Sequence, residues 1–140
     1  MWEIALKCKN TPSVIALSRQ KVPYINPDNS NKNKCENGAY QFKITSHESK
    51  ITLIASGTEV ELALKVQEKL KENNIHSKVV SMPCMELFDK QSEKFKDELI
   101  EYDSLVVTLE AGSVTSWQKY IKNKGLNLGI DQFGESAPYK

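Results

Sequence analysis

Apolar and polar residues change rhythm several times along the chain, and one stretch sets the frame. Ile51–Leu70 (ITLIASGTEVELALKVQEKL) opens with Ile51, Leu53, Ile54 and Ala55, a short run rich in β-branched residues. That pattern predicts a strand buried on both faces. Ser56-Gly57 interrupts it. Thr58 then takes a helix N-cap position, with Glu59 and Glu61 in the first turn, where the helix dipole favours negative charge. Val60, Ala63, Leu64, Val66 and Leu70 recur at three- and four-residue steps, while Glu61, Lys65, Glu68, Lys69 and Lys71 take the other side. A strand that passes through a glycine turn into a helix opens a βαβ unit.

The rest of the chain flanks that unit. Residues 1–10 read as the end of a helix, with Trp2, Ala5 and Leu6 on one face, and Thr11-Pro12 breaks it. Ser13–Leu17 (SVIAL) predicts a short apolar strand with Ser18, Arg19 and Gln20 at its C-terminal end. Lys21–Gly38 holds two prolines and many asparagines and reads as a linker between domains. Tyr40, Phe42 and Ile44 alternate with Gln41 and Lys43, which predicts an edge strand exposed on one side; spacing alone pairs it with 51–55 as a hairpin. Further strands are predicted at His76–Ser81, Ser104–Leu109 and Leu126–Ile130. Between them lie an apolar turn at Met85–Phe88, a short charged helix at Ser92–Leu99, and a helical face of Val114, Trp117, Tyr120 and Ile121. Asn73-Asn74 ends the long helix, and Asp131–Lys140 reads as a loop. Strands alternating with helices predict an α/β fold with a mostly parallel sheet. One helix and one strand cannot bury their own apolar faces, so residues 1–20 are expected to belong to a different domain from 39–140. The last strand has no helix after it, so the second domain is expected to be truncated at its C-terminus.

Composition narrows the function more than the fold. A formal net charge of +1 over 140 residues argues against bulk electrostatic binding to nucleic acid or an anionic membrane. No apolar run approaches the ~20 residues of a transmembrane helix. Cys8, Cys35 and Cys84 lie far apart without metal-ligand spacing, which fits free thiols in a reducing compartment, with the cytoplasm as the expected location. His47 and His76 are the only histidines, leaving few donors for acid–base work. Arg19 is the only arginine in a lysine-rich chain. It is either a chance surface residue or one kept for its planar, permanently charged fork. Its place at the C-terminal end of a predicted strand is where ligands collect in open α/β sheets.

The other candidates have plain structural readings. Ser56-Gly57-Thr58 could hold an anion at a helix N-terminus, yet it lacks dinucleotide-loop and P-loop spacing and reads as a simple βα turn. Cys84 reads as an inert thiol, Glu110 as a capping or hinge carboxylate, and Trp117 and Tyr120 as core. No catalytic, cofactor-binding or metal-ligating residue emerges. From the residues alone, the chain is a binding or assembly module without a complete active site.

Five stretches together resemble the transketolase family: Trp2–Lys7 with Thr11–Gln20 (TPSVIALSRQ), Ala55–Ala63 (ASGTEVELA), Val79–Lys90 (VVSMPCMELFDK), Glu110-Ala111-Gly112 with Trp117 and Tyr120, and Asp131–Pro138 (DQFGESAP). They follow the family's order across nearly the whole chain. The LSRQ and FGESAP wording argues against a deoxyxylulose-phosphate synthase. The resemblance implies a thiamine-diphosphate-dependent transferase, with Mg2+ or Ca2+, that moves a two-carbon ketol unit between sugar phosphates as a homodimer in the pentose phosphate pathway. It implies that 1–20 end the pyrimidine-binding domain, 21–38 are a linker, and 39–140 form the C-terminal domain. That domain's expected fold is a three-layer α/β/α arrangement around a mixed, mostly parallel five-stranded sheet whose first strand is antiparallel. Residue by residue, it assigns Arg19 to the phosphate of the sugar substrate and no role to Cys84. The family's catalytic histidines and cofactor and metal ligands fall outside the matched stretches, so this chain alone is expected to be inactive and structural or regulatory. The competing hypothesis is a free-standing regulatory or interaction module that binds a small anion or a partner protein at Ser56–Thr58.

Overall fold

The structure is a computed structural model that describes residues 1–24, 33–46, 49–121, 124–132 and 134. The alternating segment Tyr40–Ile44 forms β1, and the apolar run Ile51–Ala55 forms β2. The long amphipathic stretch becomes α2, Glu59–Glu72, so the N-terminal helix Trp2–Lys7 is α1. Ser77–Ser81 is β3, followed by α3 (Met85–Asp89) and α4 (Glu93–Leu99). Leu105–Leu109 is β4 and Gly125–Leu128 is β5. Short 3-10 turns span Lys34–Asn37 and Thr115–Tyr120.

The five strands form one sheet in the order β1-β3-β2-β4-β5. β1 runs antiparallel to β3, and the other pairings are parallel. The mixed, mostly parallel five-stranded sheet is therefore present, with its first strand antiparallel at an edge. The hairpin between β1 and β2 is not formed. β2 lies between the parallel strands β3 and β4, so both its edges are taken, and β1 pairs with β3 instead.

Alternation along the central strands feeds two cores. Leu53, Ala55, Val79 and Leu109 meet Val60 and Ala63 of α2 on one face. Ile54, Val80 and Val106 meet Phe88, Leu99, Trp117 and Tyr120 on the other. Burying a side chain such as Ile54 is worth about 1.5–3 kcal/mol relative to leaving it in water, so these two clusters supply much of the driving force for folding. Leu126 and Leu128 of β5 lie level with Val107 and Leu109 on the α2 face, yet they and Leu105 remain largely exposed.

Several local expectations change. Thr58 has helical backbone angles and makes no side-chain cap; its hydroxyl donates to Glu59 Oε1 at 2.6 Å. Ser13–Leu17 is extended but pairs with no strand among the described residues, and Val14 is 95% exposed. The proposed linker carries the 3-10 turn Lys34–Asn37, capped by the Asn33 side chain, while 25–32 lie outside the described residues. The helical face at 114–121 is a 3-10 turn rather than an α-helix. β5 begins one residue earlier than expected and ends at Leu128.

One buried charge stands out in the second core. The Lys78 side chain is 2% exposed, and its Nζ lies 2.6 Å from Glu101 Oε1, whose side chain is 52% exposed. Removing one partner of a fully buried pair costs 3–5 kcal/mol, but water can reach the vacated Glu101 position, so Glu101→Ala is expected to cost about 1–3 kcal/mol. Lys78→Met, which removes the charge and keeps the length, is expected to stay within about 1 kcal/mol of the natural chain. Urea unfolding of both variants checks the asymmetry.

Candidate functional site

The parallel strands end together, and their C-terminal edge gathers several of the singled-out residues. β2 leads through Ser56, Gly57 and Thr58 into α2. Gly57 has φ +54, a conformation open to glycine, which lets the chain reverse in a short turn. Glu59 N closes that turn on Ser56 O at 3.1 Å. The turn borders a cleft of about 230 Å³, lined by Val22, Pro23, Tyr40, Thr58, Glu61 and Ser81 among others. Burial raises the Tyr40 phenol, partly offset by its bond with Ser81. The 11–24 segment thus lies against the sheet's C-terminal edge through Val22 and Pro23, while Arg19, three residues earlier, is exposed.

Glu110 follows the end of β4, and its carboxylate accepts from Trp117 Nε1 at 2.9 Å. Its backbone N–H donates to Leu128 O at 2.9 Å, and Ile130 N donates to Gly112 O at 3.1 Å. Glu110 therefore ties the loop between β4 and β5 to the 3-10 turn through Trp117. Of the Asp131–Pro138 stretch, Asp131, Gln132 and Gly134 are exposed; Phe133 and 135–140 lie outside the described residues.

Cys84 is half-buried and donates to Glu86 Oε2 at 3.4 Å. Burial first, and then the Glu86 carboxylate, push its thiol above the ordinary cysteine value. A nucleophilic cysteine needs the opposite environment. His76 is exposed, and His47 lies outside the described residues. Among the described residues, no group of three His, Cys, Asp or Glu side chains could hold a metal ion. No described helix is long and apolar enough to cross a membrane.

The most concentrated polar cluster escaped the sequence reading. Asp89, at the end of α3, accepts from Tyr120 OH at 2.9 Å and pairs with Lys119. The Lys119 ammonium also sits 5.0 Å from the centre of the Tyr120 ring. Phe88, Asp89, Glu93, Lys96, Lys119 and Tyr120 line a cleft of about 210 Å³. Burial, then the bond to Asp89, push the Tyr120 phenol up to about 12. Burial works to raise the Asp89 carboxyl, but the bonds from Lys119 and Tyr120 outweigh it and hold the group below its ordinary value. Each of these charges has a partner of opposite sign, Lys96 with Glu93 at 3.0 Å included. The cluster locks α3 to the 3-10 turn and offers no free acid or base. The partners are about thirty positions apart, so no local motif announces it.

A depressed carboxylate contributes stability above its unfolded value and loses it as pH falls through the folded one. Asp89→Asn removes that dependence. Between about pH 5 and pH 2, the natural chain is expected to lose more stability than the variant. Urea midpoints measured across that range check it.

Comparison with known proteins turns this scaffold into a family assignment. A family model described as "Transketolase-like TK C-terminal domain" matches residues 38–140. The transketolase of Aquifex aeolicus is 40% identical over 98% of this chain and 20% of its own length. A crystal structure of transketolase from Campylobacter jejuni superposes with a TM-score of 0.83 and 38% identity, covering 96% of this chain and 20% of that one. A Pichia stipitis transketolase solved with sedoheptulose 7-phosphate gives a TM-score of 0.66 and 31% identity over 72% of this chain and 14% of its own. The chain thus spans about a fifth or less of the length of these relatives. With the mixed five-stranded sheet and its antiparallel first strand in place, the match is one of architecture as well as sequence, and the chain belongs to the transketolase family as a bearer of its C-terminal domain.

Proposed function

We propose that this chain is the C-terminal portion of a transketolase, a transferase that moves a two-carbon ketol unit between sugar phosphates with thiamine diphosphate and Mg2+ or Ca2+. The observation that carries the reading is similarity to transketolases over 98% of the chain, extending through the segment that precedes the C-terminal domain. The sugar phosphate in the Pichia stipitis structure supports the substrate class. In this reading residues 1–20 complete the pyrimidine-binding domain, 21–38 are a linker, and 39–140 are the C-terminal domain. The exposed apolar side chains of 1–20, Trp2, Leu6, Val14 and Leu17, suit a segment that packs on the remainder of that domain. The enzyme works as a homodimer in the cytoplasm, in the pentose phosphate pathway.

The described residues do not assemble a donor set for a divalent ion. In the proposal, cofactor and cation are held elsewhere in the enzyme, the C-terminal domain is structural or regulatory, and the chain on its own is inactive. Its contribution to the reaction is Arg19. A guanidinium can grip a phosphate through two parallel charge-assisted bonds, which positions the sugar without taking part in bond making.

The test is Arg19→Ala in the full-length enzyme. Loss of a charged hydrogen bond is worth about 1.5–3 kcal/mol, so kcat/KM for phosphorylated acceptors is expected to fall by roughly ten- to hundredfold. Unphosphorylated sugars should be nearly unaffected. An equal loss with both kinds of acceptor would remove Arg19 from the phosphate site.

A further inference from the structure

α2 buries one polar residue in the middle of its apolar face. Gln67 is 0% exposed, as is Ser77 at the start of β3. The Gln67 amide reaches the backbone where β1 and β3 pair. Gln67 Nε2 donates to Ser77 O at 2.9 Å and, more weakly, to Lys43 O at 3.5 Å. The Ser77 carbonyl also accepts from Thr45 N at 3.1 Å and Thr45 Oγ1 at 3.0 Å, while Ser77 N donates to Thr45 Oγ1 at 3.0 Å. The backbone groups of this polar knot are thus well used. Two side-chain atoms are not: Gln67 Oε1 and Ser77 Oγ are buried without a hydrogen-bond partner among the described residues.

That pair of atoms points to a small ligand. The bond from Gln67 Nε2 to the Ser77 backbone carbonyl holds the Gln67 amide against residue 77, and the two free side-chain atoms are not bonded to each other. An amide oxygen only accepts, whereas a hydroxyl both donates and accepts. A single water satisfies both at once, and buried polar groups left over by the fold are where internal waters reside. Two neutral oxygens are too few to hold a dehydrated cation. We propose that one water molecule is an integral part of this fold, donating to Gln67 Oε1 and hydrogen-bonded to Ser77 Oγ. It ties α2 to the antiparallel edge of the sheet through the Thr45–Gln67–Ser77 knot. In effect, the polar residue on the helix's buried face is there to complete a hydrated joint.

A crystal structure of the protein at a resolution that orders internal waters tests this. A well-ordered water within hydrogen-bond distance of both Gln67 Oε1 and Ser77 Oγ is expected. A direct bond between the two atoms, or no water between them, overturns the proposal. In solution, a long-lived water signal to the Ser77 amide should be present in the natural chain and absent from the Gln67→Met, Ser77→Ala double variant. A signal that persists in the double variant also overturns it. Where that variant fails to fold, the crystal structure of the natural chain decides alone.

Discussion

Trp117→Ala should remove about 3–5 kcal/mol of stability, a large share of the 5–15 kcal/mol that holds a typical domain together. The indole is 1% exposed and lies in the core on the α3 and α4 face of the sheet. Its ring meets Tyr120 edge-on with centroids 6.1 Å apart, and Tyr120 in turn meets Phe88 at 5.7 Å. Deletion therefore opens a cavity beside Tyr120, whose ring packs in turn on Phe88. It also strips Glu110 of the indole donor at 2.9 Å. Trp117→Phe separates the two effects. It keeps most of the apolar surface and loses only the bond to a carboxylate that solvent can partly reach, so a loss of about 1–2 kcal/mol is expected. Urea unfolding followed by circular dichroism reads both. A cost for Trp117→Ala no larger than that for Trp117→Phe would mean the ring is not the keystone of this core.

The contrast between legible and illegible features follows the range of the interactions. The strand–turn–helix at Ile51–Leu70 was readable because its apolar period changes from a continuous run to a three-and-four step within twenty residues. β1 was readable as an edge strand because only Tyr40, Phe42 and Ile44 face inward. Its partner was not, since Tyr40 pairs with Ser81 across a separation that no turn signal bridges. The 3-10 turn at Thr115–Tyr120 carries its own signal: Val114, Trp117 and Tyr120 repeat at steps of three, the 3-10 period, rather than alternating three and four. Thr58 has the composition of a cap, but its hydroxyl turns to Glu59, and the turn is closed by backbone bonds. Gln67 belongs to the polar class by composition and to the core by position, and only tertiary geometry makes that distinction. As for the candidate site, Arg19 stood out by rarity, and the phosphate role proposed for it rests on the family resemblance rather than on its surroundings. Asp89, Lys119 and Tyr120 meet only because α3 and the 3-10 turn pack on the same face.

Gly38→Ala is expected to be comparably damaging, by a different route. Gly38 closes the 3-10 turn Lys34–Asn37 with φ +80, a left-handed conformation. It sits at the first residue of the segment that the family model matches. An L-residue there incurs roughly 1–2 kcal/mol of backbone strain. The surroundings add to this. A Cβ would lie 2.2 Å from Phe88 N and 2.4 Å from Cys84 O, both of them backbone atoms that no rotamer change can move aside. The end of the 3-10 turn is held against the start of α3 by Cys84 N, which donates to Gly38 O at 3.1 Å. Accommodating the methyl would push α3 outward, carrying Phe88 away from Tyr120 and Asp89 away from Lys119 and Tyr120. Overpacking of this kind costs a further 1–3 kcal/mol, for a total of about 2–5 kcal/mol. Gly57→Ala is the control. Its φ of +54 imposes similar strain, but the nearest atom to its Cβ would be Glu59 Oε2 at 4.0 Å, so only the backbone cost of about 1–2 kcal/mol should appear. Denaturant midpoints for the two variants isolate the close approach of α3. Equal losses would show that Gly38 is required for its backbone conformation alone.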